Sequence, residues 1–336
     1  MNDSQSAATD RADEVPWTHT PFGQPWWLDA VAPGSWGEVV VERKGEVAAR
    51  LPYVVKERFG LRVLTQAPLT RFLGPWTRPA DGKYGHRIGV EKQLMSELIE
   101  GLPPHDAFHA NFAPAISNWL AFHWAGFDAT LHYTYRLDDL ADLDAVRAGF
   151  EPNVRNQIRK AQRELKVRTD LELDPLLQIT AKTFGRQGLP VPFDDALAVR
   201  LDRACRQRGV GTIIGAVDAQ ERVHAACFVV HDHGTSYLLY GGGDPELRSS
   251  QAGTLIIWEA IRLAAEAGRQ FDFLGSMSES FERRNRSFGA RQAPYLYVSR
   301  ERPHARLLLA ARSAVGDRIA AARARVGSRT GRSART

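Results

Sequence analysis

The chain has 336 residues, 43% hydrophobic and 25% charged, with a formal net charge of +5, which is length for two ordinary domains and the composition of a soluble globular protein. It offers no run of about 18 apolar residues for a membrane-spanning helix. Its two cysteines, Cys205 and Cys227, give neither a disulfide framework nor paired zinc-site spacing. From Glu301 onward nine arginines face only Glu301 and Asp317, so the tail carries +7 and residues 1–300 carry −2, which removes the case for a nucleic-acid-binding body.

Residues 1–19 are polar and acidic without an apolar signal-peptide core and read as a disordered lead-in, with the cytoplasm as the expected compartment. Residues 36–56 alternate around a turn at 43–45 and predict a hairpin. Strand-like pieces follow at 61–68 and 71–76, then a helix over 89–101, a buried strand at 108–112 and a short helix at 117–127. The order then recurs on a larger scale. A strand at 131–139 precedes helices at 140–166, 174–187 and 195–208, and three strands follow at 211–218, 223–232 and 235–242. A helix at 254–267 and strands at 270–275 and 293–300 close the set. This order predicts a mixed sheet with helices on both faces, in two related α/β domains over 20–129 and 130–300. The tail, 301–336, begins as a basic amphipathic helix with Leu307, Leu308, Ala311, Val315 and Ile319 near one face, and ends rich in Gly, Ser and Arg.

The most informative stretch runs from Ser236 to Gly275. Arg248, Ser249, Ser250, Gln251, Ala252 and Gly253 stand just before a helix beginning near Thr254. A helix start leaves about four backbone N–H groups without partners and carries partial positive charge. Small residues there let an anion approach the backbone. The loop reads as a phosphate cradle, and equally as a plain strand-to-helix turn.

Several motifs fall in a fixed order: TPFGQPWWLDAV, QAPLTRFLGPW, VRNQIRKAQREL, a Gly-Gly-Gly-Asp turn after SYLLY, SSQAGTLIIWEAIRLAAEAG, FDFLGSM and RNRSFGARQAPY. Together, over about 20–300, they resemble the Fem-type branch of the GNAT acyltransferases, which includes peptidoglycan-bridge aminoacyltransferases and CelD-like proteins. The resemblance implies two tandem GNAT-like domains, each a mixed sheet flanked by helices, with acyl-CoA as co-substrate and no metal. Donor contacts would fall on Arg248, Ser250, Gln251, Ala252, Gly253 and Thr254. Two positions depart from the family pattern. Gln251 replaces the middle glycine of the Arg/Gln-x-x-Gly-x-Gly/Ala signature, and Arg284-Asn285 stand where Fem-type enzymes often carry Phe-Lys.

A GNAT-like reaction is direct attack of an amine on a thioester or ester carbonyl, with proximity supplying much of the rate. Tyr240 is the candidate proton donor to the leaving group, and Asp244 and Glu279 the candidate acceptors of the amine proton. Tyr240 also reads as a core or rim aromatic, and the two carboxylates as solvated loop residues. Asp272, alternating with Phe271 and Phe273, lines the cleft or faces solvent. Arg155, Arg159 and Arg163 recur at i, i+4 and i+8 beside Lys160. With Arg284 and Arg286, they are the expected contacts of a phosphorylated acceptor, or else a solvated helix face. His231-Asp232-His233 sits on a hairpin turn and is not expected to hold a metal. Trp17, Trp26, Trp27 and Trp36 read as packing.

The expected activity is transfer of an acyl group from acyl-CoA to an amine on a sugar- or lipid-linked envelope or polysaccharide precursor. The alternatives are an aminoacyl-tRNA-dependent peptidoglycan-bridge enzyme, less favoured because the coiled-coil arm of some tRNA-using members is missing, and a non-catalytic scaffold in a polysaccharide assembly. Contact of 303–336 with the inner membrane surface is the expectation for the tail.

Overall fold

The computed structural model describes residues 15–311 apart from 17 and 276. Helix α1 (Pro25–Val31) has a proline in its first turn, where the missing N–H costs nothing. Strands β1 (Trp36–Arg43), β2 (Glu46–Arg58) and β3 (Leu61–Thr65) form a meander whose turns place Lys44-Gly45 and Phe59-Gly60 at positive φ. Then come β4 (Trp76–Thr77), α2 (Tyr84–Glu100), β5 (Ala107–Asn111), α3 (Leu120–Trp124) and β6 (Asp128–Leu137).

Helix α4 (Leu143–Ala148) is capped by the Asp142 carboxylate, which accepts the N–H groups of Asp144 and Ala145. It is followed by α5 (Pro152–Glu164), β7 (Lys166–Arg168), α6 (Leu173–Arg186) and α7 (Asp195–Arg208), the last closed by Gly209 at φ +63°. The second meander is β8 (Gly211–Val217), β9 (Val223–His231) and β10 (Thr235–Gly243), after which α8 (Ala252–Glu266), β11 (Gln270–Asp272), α9 (Glu279–Ser287) and β12 (Arg291–Glu301) complete the set.

Among the described residues these strands join one twelve-stranded mixed sheet, ordered β1-β2-β3-β5-β12-β6-β11-β10-β9-β8-β7, with β4 on β2. Its two wings repeat one plan: an antiparallel meander, a crossover helix, and a strand returning parallel to the third. In the first wing α2 joins β3 to β5, and in the second α8 joins β10 to β11. The antiparallel pair β6 and β12 lies between the wings, with β12 against β5 and β6 against β11. The last described strand thus completes the sheet beside the first wing.

The second wing is buried on both faces. Along β9, Ala226, Phe228 and Val230 join a cluster with Leu176, Leu201, Phe22 and Trp27, while Ala225, Cys227 and Val229 join one with Ile158, Ile256, Ile261 and Phe271. This is the period of two expected for a strand. Fully burying each of the large side chains here contributes roughly 2–3 kcal/mol.

Several expected boundaries move. The helix placed at 140–166 is two helices, because Gly149 ends α4 and Pro152 opens α5. Residues 71–75 form no strand, and α1, β7 and α9 were not anticipated. Residues 303–311 are helical, as expected, but Ala305, Leu308 and Leu309 turn toward Leu61, Val63 and Ala107 while Leu307 is exposed. Val315, Ile319 and Trp17 lie outside the described residues.

Candidate active site

β10 and β11 pair only through Thr235–Tyr237 and Gln270–Asp272. Beyond that point β10 runs on to Gly243 paired with β9 alone, while the other chain turns away. The turn is built by Asp272, whose Oδ1 accepts the Leu274 N–H at 2.8 Å and the Thr134 hydroxyl. Leu274 and Gly275 follow at φ +49° and +93°. An aspartate bonded to the backbone two residues on is a strand-ending turn, and here it opens a wedge between two parallel strands. On the opposite side the run of glycines is required by close approach. A Cβ on Gly241 would lie 2.5 Å from the Ala226 carbonyl oxygen, and one on Gly242 would lie 2.0 Å from Thr183 Oγ1.

At the end of β10 the chain enters the predicted cradle. Arg248–Ser250 make a single 3-10 turn, Gln251 takes φ +62°, and α8 begins at Ala252. Gln251 thus holds a left-handed backbone, which favours glycine, at a cost of about 1 kcal/mol. The Gln251 carbonyl accepts the N–H groups of Thr254 and Leu255. The amides of Ala252 and Gly253 have no partner among the described residues, and the space where a Gly253 side chain would stand is empty. Helix α5 braces the loop from below: Lys160 Nζ donates to the Ser249 carbonyl at 2.8 Å, and the Thr254 hydroxyl donates to Gln157 Oε1 at 2.8 Å.

The predicted donor contacts divide accordingly. Arg248 is exposed beside the two unpartnered amides, whereas Ser250 is buried with its hydroxyl donating to the Leu247 carbonyl, and Thr254 is committed to Gln157. Ser250 and Thr254 shape the loop.

The three candidate acid–base residues are not brought together: no hydrogen bond or ion pair joins them. Tyr240 packs edge-on against Phe193 and Phe228, at 4.9 and 5.7 Å between ring centres, in the cluster beneath α6 and α7. Its hydroxyl is buried with no partner among the described residues, and burial pushes its pKa up. Asp244 is buried, not loop-exposed. One oxygen accepts the Glu246 N–H at 2.9 Å and the other pairs with Lys182, whose ammonium holds the carboxyl below the usual range. Glu279 opens α9, where it is exposed and paired with Arg283 at 2.7 Å.

Arg155, Arg159 and Arg163 lie on the helix that braces the cradle. Arg155 donates to the Ala148 carbonyl at 2.8 Å, and Arg159 and Arg163 are exposed. Arg286 is committed to Glu282 at 3.0 Å and Glu151 at 3.7 Å. Arg284 is different. It stands over the Phe281 ring, donates only to Asn285 Oδ1 and meets no carboxylate among the described residues. Burial lowers its pKa to about 10.

Asp272, left between cleft and solvent by the sequence, is 2% exposed, and burial pushes its pKa up to about 6. Among the described residues no three His, Cys, Asp or Glu side chains gather as a metal site.

Residues 150–295 match the family described as an acetyltransferase (GNAT) domain. No curated protein matches the chain. Among solved structures it is similar to FemX, with a TM-score of 0.58 and 12% identity over 83% of this chain and 93% of that one. It is also similar to a conserved protein of unknown function from Bacteroides thetaiotaomicron VPI-5482, with a TM-score of 0.53 and 14% identity over 82% of this chain and 90% of that one. The C-terminal domain of a protein described as a lysylphosphatidylglycerol synthetase, from Agrobacterium fabrum, gives 0.51 and 13% over 82% and 87%. At such identities the likeness is one of fold.

Proposed function

We propose, for a chain that belongs to the GNAT superfamily through residues 150–295 and is built on the fold of FemX, that the second wing binds acyl-CoA and passes its acyl group to an amine. The observation that carries this reading is the wedge between β10 and β11 leading to a helix start with two unpartnered amides. The pyrophosphate would rest on the amides of Ala252 and Gly253 beside Arg248, and the thioester arm would enter the wedge. The amine nitrogen then attacks the thioester carbonyl, a C–N bond forms, the C–S bond breaks, and the departing thiolate takes up a proton. Backbone N–H groups along the unpaired edge of β10 are the candidates for holding the oxyanion.

The proposed acceptor is a sugar- or lipid-linked envelope precursor with an anionic group. Exposed arginines on α5 and the carboxylate-free Arg284 support an anionic acceptor. A lipid-linked one is in keeping with the fold relative described as a lysylphosphatidylglycerol synthetase. No helix among the described residues is long and apolar enough to cross a membrane. In this reading the enzyme works in the cytoplasm, meeting the membrane through its Arg-rich tail.

A thermal-shift titration with acetyl-CoA and longer acyl-CoAs tests the donor. Ligand at about a hundredfold excess over Kd adds roughly 2.7 kcal/mol, and Gly253→Trp should abolish the rise by filling the cradle. No rise with any acyl-CoA overturns the reading. Salt-sensitive retention on aminoacyl-tRNA would then place the chain with the tRNA-dependent enzymes, and absence of both would leave the scaffold.

A further inference from the structure

We propose that Arg71, carried by the first wing, completes the acceptor site of the second by binding an anionic group of the acceptor, a phosphate or a carboxylate. The proposal rests on the wedge being where the acyl group is transferred. Arg71 lies in the motif QAPLTRFLGPW, whose backbone is pinned at 70–71. The Trp27 indole donates to the Thr70 hydroxyl at 3.1 Å, the Gln66 amide donates to the carbonyls of Thr70 and Arg71 at 2.5 and 3.0 Å, and the Asn111 amide donates to the Arg71 carbonyl at 3.2 Å. From this anchored backbone the side chain crosses to the turn at the lip of the wedge. Its Nη2 reaches the Leu274 carbonyl at 3.4 Å, and a Cβ on Gly275 would stand 3.2 Å from the guanidinium carbon.

That one long hydrogen bond is the only one Arg71 makes through its guanidinium among the described residues, and it forms no ion pair there. A guanidinium has five donors in a planar fork suited to phosphate or carboxylate. Here it is half-buried, held on an anchored backbone and in no ion pair among the described residues, with the buried Asp272 a carboxylate it feels at longer range. The backbone strain points the same way. Of the six described non-glycine residues at positive φ, Lys44, Phe59 and Glu221 lie in hairpin turns and Leu69 is the third residue of the turn from Ala67 to Thr70. The other two are Gln251, in the cradle, and Leu274, whose carbonyl meets Arg71. Non-glycine residues held in this region outside ordinary turns concentrate at functional sites. The strain thus falls on the donor cradle and on the lip of the wedge that Arg71 meets.

The test is calorimetric titration of the full chain carrying Gly253→Trp, so that the donor cradle is blocked, with inorganic pyrophosphate and separately with glutarate at constant ionic strength. One anion is expected to bind, at least tenfold more weakly when Arg71→Ala is added, and with intermediate loss for Arg71→Lys, which keeps the charge without the fork. Binding of pyrophosphate alone would assign a phosphorylated acceptor, and of glutarate alone a carboxylate. No binding, or binding unchanged by Arg71→Ala, overturns the proposal. Should Arg71→Ala fail to fold, Arg71→Lys decides, with equal affinity counting against. Acyl-CoA binding to the unmodified chain reports separately on the donor reading, so either can fail while the other stands.

Discussion

Each wing makes the same strand–helix–strand crossover, and only one keeps its cleft. In the first, β3 and β5 run parallel at Val63–Ala107 and Leu64–Phe108, and the space beyond is filled. Gln66 Oε1 accepts the Asn111 N–H at 2.6 Å, the Leu73 N–H donates to the Asn111 carbonyl at 2.7 Å, and Gly74 lies where a Cβ would stand 2.6 Å from the Phe112 ring. In the second, no described strand pairs with β10 beyond Tyr237 on that side, and α8 opens after a left-handed Gln251 with two amides unpartnered. By contrast, α2 follows an extended Lys83. One fold thus offers two crossovers, and in the proposed reading a handful of side chains decide which one takes a ligand. The loop that seals the first is also the loop that delivers Arg71 to the second.

The comparison breaks most severely at Gly241. Gly241→Ala drives a methyl against the backbone of Ala226 and Cys227, which cannot yield as a side chain can. It should cost about 3 kcal/mol in urea unfolding and abolish acyl-CoA binding, whereas Gly243→Ala, with its nearest neighbour at 3.5 Å, should do neither.

Asp272→Asn probes the turn that opens the wedge. Because burial raises the carboxyl to about 6, the folded protein favours the protonated form. Its contribution to stability is present below the unfolded value near 4 and is lost as pH rises through 6. The asparagine variant should therefore gain on the wild type between pH 4 and pH 7, by roughly 2–3 kcal/mol. Melting temperatures that differ by the same amount at both pH values would show that Asp272 does not titrate in that window.

Gln66→Ala unseals the first cleft. Leaving the Asn111 N–H and the carbonyls at 70–71 without that amide should cost about 2 kcal/mol while donor binding to the second wing persists. The smallest effect is expected from Gln251→Gly, which relieves the left-handed backbone and should stabilise by up to about 1 kcal/mol with donor affinity within twofold. A large loss of affinity would instead give the Gln251 side chain a direct role.

The element order was legible because strand alternation and the apolar stripe of α8 are local patterns. Helix α9 was not: ESFERRNRS has one aromatic, Phe281, and it is exposed. The side of the sheet that Tyr240 takes could not be read from alternation. A bulge between Leu238 and Tyr240 adds a residue to β10, so Tyr240 falls on the side of Tyr237 and Leu239, away from α8. The cradle could be located from its small residues, but nothing in a glutamine announces positive φ. Nor could alternation along β11 show that Asp272 is sealed from solvent, since Phe22, Phe72 and Arg71, which gather on that side, come from some two hundred positions earlier.

The most direct measurement is the stoichiometry of donor binding: calorimetric titration of acetyl-CoA into the full chain and into Gly253→Trp. One equivalent for the wild type and none for the variant is the predicted result. Two equivalents, or one that survives Gly253→Trp, would contradict the proposal that the donor binds at the cradle of the second wing.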